Sequence, residues 1–380
     1  MQRSTDHILT THTGSLPRPR DLAELLLAKD EGRAVDEAAF ERRVVEAVGE
    51  IVARQVATGL DVIDDGEMSK ASYVSYVKDR LTGFGGESIP RMGGADRQDF
   101  PGFEPAAASQ AASLRNLPSC NGPITMDDPN AVQRDLANFK SALGKAHATD
   151  AFVTAASPGQ VTRWLDNKYY PTHEEYLYAL AEAMKPEYRA VVDAGYVLQL
   201  DCPDLASARH SNFPDRPLED FLKYAELHIE ALNYALDGLP PDQLRMHLCW
   251  GNYAGPHHRD VELKDIIGIA FTGRPNAVLF EAANPRHAHE WKIFEYVKVP
   301  DGKVLIPGVV ESCSSYIEHP ELVAQRIVQL ARLVGRENVM AGSDCGFGTW
   351  VGGGSVHPGI AWAKLESMVE GARLATAELW

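Results

Sequence analysis

Residues 196–281 contain, in order, YVLQLD (196–201), LEDFLKYAELHIEALNYAL (218–236), LRMHLC (244–249) and AVLFE (277–281). The three short runs are apolar and too brief for helices, whereas 218–236 repeats its apolar residues every three to four positions, the period of a helix with one buried face. Strands joined through a helix of this length pair in parallel, so the stretch reads as successive βα units. The pattern continues outward in both directions. Strand-like runs at 7–13, 61–65, 151–155, 303–309 and 338–342 bring the set to eight, and helix-period segments fill 36–58, 172–194, 320–333 and 361–377. Thr172 with Glu175 three residues on, and Gly59 and Gly195 at segment ends, are the start and stop signals such helices use. Eight βα units predict an α/β chain folded as a single (βα)8 TIM barrel, one domain over 1–380.

The composition agrees. With 380 residues, 44% hydrophobic and 24% charged, the chain has the globular balance and excludes a disordered polymer. No repeat and no linker divides it. One composition break, residues 81–146, is rich in Gly, Pro, Asn and Asp and falls where a βα connection should be short. It is expected to be an insertion over the C-terminal face of the barrel, with 128–143 returning to helix. Lys and Arg number 37 against 53 for Asp and Glu, and the net charge of -16 disfavours nucleic acid and anionic membrane surfaces as partners. No apolar run nears the roughly 18 residues of a membrane span, and residues 1–14 lack the apolar core of a signal peptide, so a cytoplasmic location is expected. Five cysteines, an odd and scattered set, predict reduced thiols.

In a barrel of this kind function gathers where strands end at the C-terminal face. Those ends are polar here: Thr13-Gly14-Ser15, Asp64-Asp65-Gly66-Glu67, Asp201-Cys202, His247-Leu248-Cys249, Glu281, Glu311 and Ser343-Asp344-Cys345-Gly346. Side chains two apart on a strand share a face, so His247 and Cys249 project together while Met246 and Leu248 pack outward. Imidazole and thiolate suit zinc, Cys345 can add a second sulfur across the barrel mouth, and Glu281 an oxygen. An H-x-C pair alone reads first as packed core residues; the further Cys and Glu at other strand ends shift the reading toward the metal. His257-His258 and His287-x-His289 also have ligand-like spacing but read as solvated or capping residues in loop sequence. Gly83 to Gly86 and Gly352 to Gly354 fit no phosphate-loop pattern and read as lid turns.

The segments THTGSLPRP, DVIDDGEMSK, LQLDCPDLA, MHLCWGN, VLFEAANPR, LIPGVVES and GSDCGFGT, in that order, resemble the catalytic C-terminal barrel of the cobalamin-independent methionine synthase family. The resemblance implies a transferase of methionine biosynthesis in which zinc, held by His247, Cys249, Glu281 and Cys345, keeps a substrate thiol such as that of homocysteine as thiolate for methyl transfer. It further implies that Gly14 and Ser15 hold the substrate carboxylate and that Glu67 and Asp201 hold its amino group and serve as the catalytic acids. Two features depart from the family: Asp201-Cys202-Pro203-Asp204-Leu205 stands where its motif is close to D-E-P-A-L, and the two-barrel enzymes carry an additional N-terminal barrel. That missing barrel, the acidic composition and the unmatched insertion point to a small-molecule electrophile, or a short-tailed or protein-carried methyl group, rather than a folate with a polyglutamate tail.

Two alternatives follow from the same residues. Single-barrel epoxyalkane:coenzyme M transferases resemble the chain in length and also use a zinc-bound thiol; a sulfonate-bearing thiol would need a cation, for which Arg18, Lys70 and Arg163 are candidates. A non-catalytic barrel binding zinc or a thiol would keep the ligands yet bury them without an open mouth; the several strand-end acids beyond the metal set weigh against it. The partners expected are a small-molecule thiol and an alkyl donor, with a homo-oligomer left open.

Overall fold

The computed structural model describes residues 1–88, 94–103, 117–352 and 356–380. Nine strands are assigned among them: β1 (Val62–Ile63), β2 (Phe84–Gly85), β3 (Ser119–Cys120), β4 (Asp150–Ala156), β5 (Val197–Asp201), β6 (Leu244–Leu248), β7 (Ala277–Phe280), β8 (Val304–Val310) and β9 (Gly342–Ser343). Seven form one parallel sheet in the order β1, β4, β5, β6, β7, β8, β9. Residues 8–13 close the ring. Thr10 bridges Ala341 in parallel, Thr11 N donates to Ala341 O at 2.8 Å and Ala341 N to Leu9 O at 2.9 Å, while Val62 N donates to Thr10 O at 3.0 Å on the opposite side. The N-terminal segment therefore lies between β9 and β1 as the eighth stave, and the expected TIM barrel is present.

The helices form where the apolar period and the caps agree. Asp36 accepts from Ala39 N at 3.0 Å to open Glu37–Thr58, and Gly59, at φ 90°, ends it in a left-handed turn that an L side chain rarely adopts. Thr172 Oγ1 accepts from Glu175 N at 3.1 Å at the start of His173–Asp193. The last helix begins three residues before the expected 361, at Pro358, a residue suited to a first helical turn, behind the cap His357.

The insertion divides into two parts. Its helix Asn130–Leu143 packs against Glu37–Thr58 and His173–Asp193 and belongs to the outer ring. Residues 94–103 reach the barrel mouth: Asp96 accepts from Tyr253 Oη and from His257 N (3.2 Å), and Asp99 pairs with Arg259 at 2.6 Å. Gly83 to Gly86 was expected to be a lid turn; instead β2 pairs antiparallel with β3. Gly353 and Gly354 lie outside the described residues. No described helix is long and apolar enough to cross a membrane.

The barrel floor is polar. Arg245, fully buried on β6, donates to Gln199 Oε1 (2.8 Å), Thr11 Oγ1 (3.0 Å) and His12 O (2.9 Å), with its guanidinium 3.5 Å from the Phe152 ring centroid. Removing that ring would leave a cavity beneath a buried cation. Phe152→Ala is accordingly expected to lower stability by about 3–5 kcal/mol, read as a shifted midpoint in urea denaturation.

Candidate metal centre

β6 presents His247 and Cys249 to the barrel mouth on the same face, and the turn after β9 brings Cys345 against them. One ligand atom from each lies within 4.8 Å of the others, and all three residues are buried. The two sulfurs are 3.7 Å apart, in free cysteines. Two thiolates on one tetrahedral zinc, with Zn–S about 2.3 Å, stand about 3.8 Å apart, so the pair is already at the spacing such an ion requires. Gly251 N donates to Cys249 Sγ at 3.2 Å. Contact with the Cys345 sulfur, burial and the nearby Glu281 charge push the Cys249 thiol well above its ordinary range, which leaves a cation as the means of holding it ionised at neutral pH.

Neighbouring groups orient the trio. His247 Nε2 lies 3.2 Å from the Asp344 carbonyl and Nδ1 3.4 Å from Asp201 Oδ1, so either nitrogen can coordinate while the other is held. Asp344 accepts from Ala282 N, Ala283 N and Asn284 N at 2.9, 2.9 and 2.6 Å, clamping the loop after β7 beside Cys345. Asn252 donates to Gly346 O at 2.8 Å and accepts from Ser312 Oγ at 2.9 Å, linking the loops after β6, β8 and β9. Neither Asp344 nor Asn252 received a role from the sequence; the S-D-C-G string placed Asp344 beside a ligand, but nothing in a linear pattern shows which backbone it caps.

Glu281 stands near but outside the converging trio. Its Oε1 accepts from Trp250 N at 2.8 Å and its Oε2 from Asn284 Nδ2 at 3.1 Å, each oxygen retaining a second lone pair.

The predicted substrate residues gather on the adjoining wall. Gly14, at φ 134°, lies so close to β4 that a Cβ there would come within 2.5 Å of Thr154 Cγ2 and 3.3 Å of Glu67 Oε1. Its N–H donates to His12 Nδ1 at 3.2 Å. Ser15 Oγ has no hydrogen-bond partner among the described residues and would lie 2.0 Å from a Cβ placed on Gly346, directly beside Cys345. Glu67 Oε1 accepts from Thr154 Oγ1 at 2.8 Å, whereas its Oε2 is buried without a hydrogen-bond partner. Burial, opposed by Lys70 and reinforced by Asp201, pushes the Glu67 carboxyl up to about 7. Asp201 Oδ1 accepts from Gln199 Nε2 at 2.9 Å. Asp64, close by, also keeps a buried oxygen, Oδ2, without a partner.

The three candidate cations differ. Arg18 donates to Glu67 O at 3.0 Å and lies 3.8 Å from its carboxylate; Lys70 donates to Thr154 O at 2.6 Å. Arg163 is buried with neutral partners, Ser207, Ser211, Gln160 and Asn212. The paired histidines need a correction. His258 and His289 are exposed, as expected for loop residues, but His257 and His287 are buried, because the loops after β6 and β7 fold inward onto Asp260.

These observations define a class: a closed parallel βα barrel carrying an imidazole and two thiols at metal-ligand spacing, with buried carboxylates beside them. No family model matches the chain. It is 26% identical over 374 residues to a protein named methionine synthase from Saccharolobus solfataricus, covering 97% of this chain and 95% of that one. It is 24% identical over 373 residues to the protein of that name from Thermococcus kodakarensis. In fold it resembles a B12-independent methionine synthase from Shewanella sp. W3-18-1 in complex with selenomethionine, with a TM-score of 0.75, 17% identity and coverage of 98% and 99%. A putative vitamin-B12 independent methionine synthase from Listeria monocytogenes gives 0.68, 20%, 98% and 99%. The resemblance to the cobalamin-independent methionine synthase family is borne out.

Proposed function

We propose that the chain transfers a methyl group to the thiol of a small amino acid, homocysteine being the acceptor that fits. The observation that carries the reading is the buried Glu67 Oε2, which among the described residues accepts no hydrogen bond and has only Arg18 at 3.8 Å, beside Gly14 on the wall next to the His247, Cys249 and Cys345 trio. A zinc ion held by those three, with Glu281 as a further oxygen ligand, would supply the positive charge that keeps a thiol sulfur deprotonated. Glu67 and Asp201 receive the ammonium, the Ser15 hydroxyl donates to the carboxylate, and Gly14 lets the backbone pass close against Thr154 and Glu67. The substrate is thereby anchored at two charged ends, with its sulfur reaching the trio.

The test is a thiol panel on the zinc-loaded protein. Homocysteine should bind more tightly than coenzyme M or glutathione, and binding should weaken as pH falls. Glu67 must be ionised to hold an ammonium, and its carboxyl is pushed up to about 7. Every thiol should weaken by about tenfold per unit as pH falls, because each loses its proton on binding, and homocysteine should lose up to a further tenfold per unit below about 7, so that its advantage over a thiol lacking the amine shrinks there. A pH-independent preference for coenzyme M would instead support thiol opening of an epoxide, a reading favoured by Arg163, whose buried guanidinium has no carboxylate within ion-pair distance among the described residues.

A further inference from the structure

Beside the thiol-rich trio is a second constellation that the proposed methyl transfer does not use. His257 and Asp260 come from the loop after β6, and His287 from the loop after β7. All three are buried, and one ligand atom of each lies within 4.8 Å of the others. Asp260 Oδ2 is the meeting point, 2.7 Å from His257 Nδ1 and 3.0 Å from His287 Nε2. The far side of each ring is held: His257 Nε2 by Tyr253 O at 3.1 Å, and His287 Nδ1 by Glu290 Oε2 at 2.8 Å. Glu290 is itself fixed, its Oε1 accepting from Leu263 N at 2.7 Å. An imidazole whose distal N–H is fixed by a carbonyl or carboxylate is the arrangement that orients metal-ligating histidines.

Two further observations bear on the site. His210 Nδ1 is 2.8 Å from Asp260 Oδ1 but misaligned for a hydrogen bond, and both are buried polar atoms left without one. His257 is held at φ 55°, a left-handed conformation that costs a non-glycine residue energy and persists where the surroundings require it. All four ring nitrogens of His257 and His287 face oxygen acceptors, so both rings carry two protons here, and two of those protons converge on Asp260 Oδ2. A divalent cation in their place would carry the same charge. Ligands around a tetrahedral zinc stand about 3.3 Å apart for bonds of about 2.0–2.1 Å, so the two ring nitrogens, at 2.7 and 3.0 Å from Asp260 Oδ2, would draw back from it by about 0.6 and 0.3 Å.

We propose that His257, Asp260 and His287, with His210 as a further donor, form a second divalent-cation site suited to zinc or a similar late first-row ion. Binding releases the two ring protons to solvent, each ring coordinating through the nitrogen that faces Asp260 and keeping its distal N–H bond. The ion fastens together the loops that follow Cys249 and Glu281. His287 stacks on Trp250 at 4.2 Å, so this brace lies against the residue next to Cys249.

Cobalt substitution tests the proposal without reference to activity, because sulfur ligands give cobalt(II) a near-ultraviolet charge-transfer band that nitrogen and oxygen ligands do not. Equilibrium dialysis of the chelator-treated full chain against cobalt(II) should give two ions per chain. The double variant Cys249→Ser/Cys345→Ser should keep one ion and lose the band. His287→Gln and, separately, His257→Gln should keep one ion and retain the band, with circular dichroism confirming the fold. A wild type that saturates at one ion bearing the sulfur band overturns the proposal however the variants fold. So does a folded His287→Gln protein that still binds two.

Discussion

Cys345→Ser and Cys249→Ser will each cost the thiol-rich centre its metal, by more than the roughly 10- to 100-fold that altering an outer hydrogen-bond partner costs. The expectation follows from the geometry. Sulfurs 3.7 Å apart are at the spacing of two thiolates on one tetrahedral ion, and a serine oxygen is both a harder ligand and one with shorter reach. Asp344→Asn is the graded control, because it alters the clamp on Ala282, Ala283 and Asn284 while sparing every ligand. Its loss should fall within the smaller range. Competition with a chromophoric zinc chelator measures all three proteins, with sulfur-to-cobalt absorption reporting this centre alone. Equal affinity in wild type and both serine variants would remove the assignment.

Glu67→Gln and Asp201→Asn should each weaken an amino-acid thiol by about 1.5–3 kcal/mol, the range for hydrogen bonds to charged groups. Glu67 is expected to show the larger loss, since its Oε2 is buried and accepts no hydrogen bond, whereas Asp201 Oδ1 already accepts from Gln199. A thiol without an amine should bind both variants as it binds wild type. Calorimetric titration with homocysteine and with 3-mercaptopropionate separates the outcomes; matching losses for both ligands would make the two acids part of the barrel's structure alone.

The barrel was legible because each β run is short, apolar and followed by a helix with matching period, and because the ring needs no information beyond that alternation. The closing stave at residues 8–13 was found the same way, although its pairing is confined to a single bridge and a few backbone bonds. The trio was legible for a local reason. The two-residue strand period puts His247 and Cys249 on one face, and the place of Cys345 at the end of the last strand brings it to the same rim. His257 and His287 were not legible. They lie on different loops, and their burial depends on both loops folding toward Asp260, whose position no periodicity encodes. Asn130–Leu143 was read as helix yet assigned to an insertion, because composition alone does not show that its apolar face packs between two ring helices. The roles of Asp344 and Asn252 arise from backbone atoms that become neighbours only when the barrel closes.

The central claim is that the chain holds a substrate thiol in its ionised form at the trio. Calorimetry of homocysteine binding to the zinc-loaded protein, repeated near neutral pH in two buffers of different ionisation enthalpy, counts the protons released. The account predicts about one proton more for homocysteine than for methionine, since a free thiol of pKa about 8.5 is largely protonated at that pH, methionine's sulfur has no proton to lose, and any proton that the ammonium displaces from Glu67 is common to both. Identical heats in the two buffers for homocysteine would contradict it.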